Sequence, residues 1–97
     1  MLRVVIIEPG FPAEIRQVNN DLASLQALVG GYIQYVFFKN DIGFLINEEG
    51  KIMGLPQNRI NYYGDVLVGT VVIVKTREGE FCSLTEIEAE DLRKMFG

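Results

Sequence analysis

The segment Val66-Leu67-Val68-Gly69-Thr70-Val71-Val72-Ile73-Val74-Lys75-Thr76 is the most apolar run in the chain. Its density of Val, Ile and Thr suits a pleated, buried surface, so it reads as one central strand. Gly69 has no side chain to pack and weakens a strand from inside, which marks a bulge or a close backbone approach there. Around this core other strands can be placed. Leu2 to Ile7 is a short apolar run rich in Val and Ile, ended by Pro9-Gly10. Ala13 to Val18 alternates, with Ala13, Ile15 and Gln17 on one face and Glu14, Arg16 and Val18 on the other. It reads as an edge strand in a hairpin with the first. Tyr32 to Phe38 is a further strand, followed by a Lys39-Asn40-Asp41 turn. Gly43 to Asn47 and Lys51 to Met53 read as short strands around Glu48-Glu49-Gly50, and Phe81 to Ser83 as a last one. Leu55 to Ile60 is expected to form a single helical turn with Pro56 near its start, and Asn61 to Asp65 a loop.

Two segments carry helical signals. Asn19-Asn20-Asp21 offers short polar side chains to the free N–H groups of a first turn. Leu22, Leu25, Leu28 and Val29 then form an apolar stripe, and Gly30-Gly31 supplies the C-terminal stop. Near the end of the chain, Thr85 and Glu88 fit a capping box, as do Ser83 and Glu86. The helix that follows is expected to dock with Ala89, Leu92, Met95 and Phe96. Strands in several short pieces with two amphipathic helices imply an α+β fold. The expected architecture is a single domain over residues 1–97, with a largely antiparallel sheet of about five to six short strands and both helices on one face.

Composition excludes several kinds of chemistry. The chain has 97 residues, enough for one modest core and too few for two domains. Histidine is absent, which removes Ser-His-Asp triads, Cys-His dyads and His-ligated zinc. Cys82 is the sole cysteine, so neither an intrachain disulfide nor a Cys-rich metal site can form. The formal net charge is −4, all of it arising in residues 78–97. No cluster of Lys and Arg is present to displace counterions from nucleic acid. No apolar run approaches the roughly 20 residues of a membrane span, and the opening Met1 to Ile7 is too short for a signal peptide. A cytoplasmic protein without direct nucleic-acid or membrane contact is expected.

Several turn and loop segments together carry a family resemblance. They are Glu8-Pro9-Gly10, Ser24 to Ile33 across Gly30-Gly31, Asn47-Glu48-Glu49-Gly50-Lys51, Gly54-Leu55-Pro56 with Asn58-Arg59, Asp65 to Thr70, and Ser83-Leu84-Thr85. In this order the chain resembles domain of unknown function 3846, a family of small bacterial, bacteriophage and mobile-element proteins. It departs from the familiar pattern in a short Arg59–Asp65 loop and in Gln57, where Leu is more usual. The resemblance implies the company of prophages, plasmids and conjugative elements, and no activity.

Each candidate residue has a structural role as the alternative to a functional one. Asn58 and Arg59 are the best binding pair, because Arg offers a rigid fork of donors to an anion and Asn both donates and accepts. The alternative is that Asn58 caps a turn and Arg59 pairs with Asp65. Asn47 to Lys51 lacks the ligand pattern of a calcium loop and reads as a hairpin turn. Gly30-Gly31-Tyr32 follows a helix, so it is no phosphate loop. Cys82 has no activating histidine and reads as a half-buried structural thiol. Tyr32, Tyr35, Phe37 and Phe38 place aromatics on both faces of one strand. Uncovered aromatics mark partner surfaces, and self-association is the simplest cover. The expected function is therefore a small non-catalytic binding or interaction protein of a mobile element, homo-oligomeric, with no cofactor and no metal. The polar set is Asn58, Arg59, Asp65 and Thr70. The alternatives are a binder of a nucleotide-like small anion and, last, a hydrolase using carboxylates alone.

Overall fold

The computed structural model describes residues 1–97. The elements are β1 (Leu2–Ile7), β2 (Glu14–Val18), α1 (Leu22–Val29), β3 (Ile33–Lys39), β4 (Ile42–Asn47), β5 (Gln57–Tyr62), β6 (Asp65–Val68), β7 (Val71–Arg77), β8 (Glu80–Cys82) and α2 (Glu86–Phe96). Six strands form one antiparallel sheet in the order β2-β1-β7-β4-β3, and β8 also pairs with β7. β1 lies against Val71 to Ile73 and β8 against Lys75 to Arg77, so the two share one side of β7 end to end. β5 and β6 form a separate two-stranded hairpin. The α+β class and the antiparallel sheet match the expectation from sequence.

The placement of the helices does not. On one face Val5, Ile7, Phe44, Val71 and Ile73 pack with Ala89 and Leu92 of α2 and with Ile60 and Leu67 of the hairpin. On the other, Val4, Ile6, Leu45, Val72 and Val74 pack with Leu25 and Val29 of α1. The helices therefore cover opposite faces. The reason lies in the strands themselves: β1 and β7 are apolar at both parities, as strands buried on both faces must be. A sheet with one wet face would alternate.

The long apolar run is two strands, not one. Gly69 adopts φ +75°, a conformation that turns the chain out of the strand. A Cβ there would also sit 2.8 Å from Leu55 Cδ1, so a larger residue would push the Leu55 side chain aside. Val66 to Val68 consequently belongs to the hairpin, and Val71 onward to the main sheet. Leu55 to Ile60 is extended where a helical turn was expected, because Asn58 and Ile60 point inward between exposed Gln57, Arg59 and Asn61, a period of two. The expected Lys51–Met53 strand is a series of turns, closed by Met53 N–H to Glu49 O and Gly54 N–H to Lys51 O at 2.9 and 3.1 Å. The expected Asn61–Asp65 loop is a tight hairpin reversal at Tyr63-Gly64.

Both helices begin as their caps dictate. Asp21 accepts the Ser24 N–H at 2.7 Å and Gly30 closes α1 in the left-handed region. Thr85 and Glu88 form the reciprocal box, with bonds of 2.9 and 3.1 Å. The stripes are narrower than expected: Leu22 and Met95 are exposed, while Leu25, Val29, Ala89 and Leu92 are buried. Neither helix is long and apolar enough to cross a membrane.

Candidate functional site

The four polar residues singled out from sequence lie in different surroundings. Asn58 is buried, and its amide donates to Ile7 O and Gly69 O, both at 2.9 Å, while Oδ1 accepts the Arg59 N–H at 2.8 Å. Both of its amide hydrogens go to holding the end of β1 against the Gly69 bend. Arg59 donates from Nε to Phe96 O at the C-terminus of α2 and from Nη2 to Phe11 O at 2.8 Å. It thereby ties the last helix and the β1–β2 connection to β5. Asp65 pairs with Lys51, not with Arg59. Thr70 lies beside Glu8, Pro9 and Pro56, around a shallow depression of about 330 Å³.

The largest concavity lies elsewhere. A cleft of about 470 Å³ runs along the outer edge of β3, between that strand and the β5–β6 hairpin. Four consecutive β3 residues, Gln34 to Phe37, line it. Consecutive residues of both parities bordering one cleft are what a cleft along a strand edge produces. Facing them are Tyr62, Asp65, Leu67 and Val68 of the hairpin, and the loop from Asn47 to Ile52 closes one end. Of the expected polar set, this cleft takes in Asp65 alone.

The edge is open in chemical as well as geometric terms. β3 pairs with β4 on one side and with no strand on the other. In such a strand, alternate residues direct unpaired N–H and C=O groups outward. Around the edge stands an unusual set of exposed apolar side chains: Tyr35, Phe37, Ile52 and Tyr63. Ile52 and Tyr63 are 87% and 89% exposed, in a chain that buries nearly all of β1 and Val71 to Val74 of β7. Tyr63 also holds φ +49°, a region costly for a bulky residue, and stacks edge-on against Tyr62 with ring centroids 4.6 Å apart. Tyr35 lies over Gly43, where an added Cβ would come within 2.4 Å of the ring. Sequence reasoning had pointed to uncovered aromatics on this strand but not to Ile52, Tyr63 or the cleft, which depend on how the hairpin folds back.

The family profile "Domain of unknown function (DUF3846)" matches residues 2–97. The chain belongs to this family. No curated protein and no solved structure matches it. In this DUF3846 protein the Cys, Asp and Glu side chains form no group of three able to hold a metal ion.

The best-built ion pair of the DUF3846 chain supports the fold. Lys75 on β7 donates to both oxygens of Glu88 on α2, at 3.1 and 3.3 Å, and Asp41 lies 3.8 Å away. The Thr85 N–H, followed by the Lys75 ammonium, holds the Glu88 carboxyl below the usual carboxylate range, against a contrary push from burial. Glu88 correspondingly raises Lys75. A carboxyl with a lowered folded pKa adds stability above its ordinary pKa and loses it as pH falls through the folded value. Glu88→Gln keeps a capping residue but removes the charge. Its urea midpoint should therefore fall less than the wild type's between neutral pH and the acid side of the carboxylate range. Parallel pH profiles for the two proteins would refute the assignment.

Proposed function

We propose that this protein is a non-catalytic interaction protein, cytoplasmic and serving a phage, plasmid or other mobile element, that takes an extended polypeptide segment along the β3 edge. The observation that carries this reading is the coincidence of an unpaired strand edge with a cleft beside it whose lining mixes apolar and polar residues. Strand addition draws its affinity from main-chain hydrogen bonds and its selectivity from pockets for alternate side chains. Here Val36, Ile46, Leu67 and Val68 supply an apolar wall, and Tyr35 and Phe37 flank the opposite face. The anion-binding alternative has less support, because Asn58 is buried and Arg59 already donates to two carbonyls.

A photo-crosslinking amino acid tests the reading in the cell of origin. Placed at Tyr35 or Phe37 it should yield covalent protein adducts. Placed at Ile87, an equally accessible apolar site on α2 that is 76% exposed, it should yield few. Equal labelling from Ile87, or excess absorbance at 260 nm from a nucleotide that copurifies, would count against it.

A further inference from the structure

From the charge placement around β3 we infer that the segment received at this edge is β3 of a second copy, antiparallel about a two-fold axis with Val36 opposite Val36. This rests on the reading of the β3 edge given above. Lys39 ends β3, and Glu48, whose N–H donates to Tyr32 O at 2.8 Å, stands beside its beginning. Both are exposed, and neither takes part in any ion pair of the chain. Antiparallel pairing brings the end of one β3 to the start of the other. Lys39 of each copy then lies opposite Ile33 of its mate, one strand spacing from the mate's Glu48 and within reach of it for two long side chains, twice over, as a two-fold interface requires.

The apolar pattern agrees with this register. With Val36 at the centre, Tyr35 of one strand lies opposite Phe37 of the other on the α1 face, a favourable cross-strand aromatic pair. On the α2 face, Val36 of each copy meets the apolar wall of the other's cleft. From Ile33 to Phe37 the edge also lacks the usual devices against pairing, the one bulge lying at its end between Phe37 and Lys39. β3 holds no Pro and no charged residue before its terminal Lys39. The outcome is one continuous antiparallel sheet through both copies.

Three measurements test it together. Light scattering at tens of micromolar should give a mass near twice 10.9 kDa. On a Cys82→Ser background, Val36→Cys should oxidise to a disulfide-linked dimer. Directly opposed residues in an antiparallel pair stand about 4.5–5.5 Å apart at Cα, within disulfide reach. Ile87→Cys on the same background should not. Lys39→Glu and Glu48→Lys should each weaken the dimer about tenfold, and the double exchange should restore it to within about threefold of wild type. A monomeric mass, failure of Val36→Cys to link, or single charge reversals without effect each overturns the inference. If the chain is monomeric while a probe at Tyr35 captures a different protein, the edge reading stands and self-pairing falls. If neither binding event occurs, both fall.

Discussion

Asn58→Ala should lower the melting temperature by about 15 °C, from a loss of about 3 kcal/mol spread over about 4–8 °C per kcal/mol in a domain of this size. The side chain is 4% exposed and makes all three of its bonds to backbone groups. Truncation strands the carbonyls of Ile7 and Gly69 away from water, and an unsatisfied buried acceptor costs more than the mean worth of a hydrogen bond. Asn58→Asp should be as severe at neutral pH, since it sets a carboxylate against the same two carbonyl oxygens. Thermal denaturation followed by circular dichroism measures both. A shift of only a degree or two in either variant would mean that Asn58 does not pin β1 to the Gly69 bend. Polar character in the Pro56–Ile60 stretch reads from sequence as a sign of binding. Its burial gives it this architectural role instead.

Phe44→Ala should cost about 3–5 kcal/mol, the range for a large aromatic removed from a core. Phe44 is 1% exposed and stands where three parts of the fold meet. Its ring centroid lies 5.0 Å from Phe38 at the end of β3, 6.0 Å from Phe96 of α2 and 6.5 Å from Tyr62 of the hairpin. The loss should therefore include the hairpin's docking. Amide exchange in β5 and β6 should speed up more than exchange in β1 and β2. Urea unfolding gives the total, and a loss below about 1.5 kcal/mol, the range of a volume-conserving swap, would show that the three rings close over the gap.

Local signals in the sequence located what depends on neighbours a few residues apart. β1 and α1 have the bounds that their apolar patterns and flanking stops mark, and the Thr85–Glu88 box marks the start of α2. What failed was longer-range. Val66 to Thr76 has uniform strand composition, so nothing in it tells that Gly69 hands one part to a different sheet. The fit of Leu55 beneath Gly69 supplies that, and it exists only in three dimensions. The side taken by each helix was in fact readable. Val4 and Val5, or Val72 and Ile73, are adjacent and both apolar, which already demands two covered faces. For the site, aromatics at both parities of β3 were a true sign of uncovered surface. The cleft was not legible, because its far wall comes from residues 62–68, which the local pattern assigned to a loop and to the central strand.

The sheet order has a consequence for synthesis. β7 is the only strand that joins the β1–β2 hairpin to the β3–β4 hairpin, and its register with β1 sets Ile7 against Val71. A nascent chain emerging N-terminus first thus holds two hairpins with no shared strand until most of the polypeptide has left the ribosome. Such late closure carries a high contact order, and the entropy of bringing distant residues together is spent before the contacts that reward it exist. In that interval the apolar strands β1 and β4 each present an unpaired flank, the condition under which nascent β-rich chains aggregate or recruit chaperones.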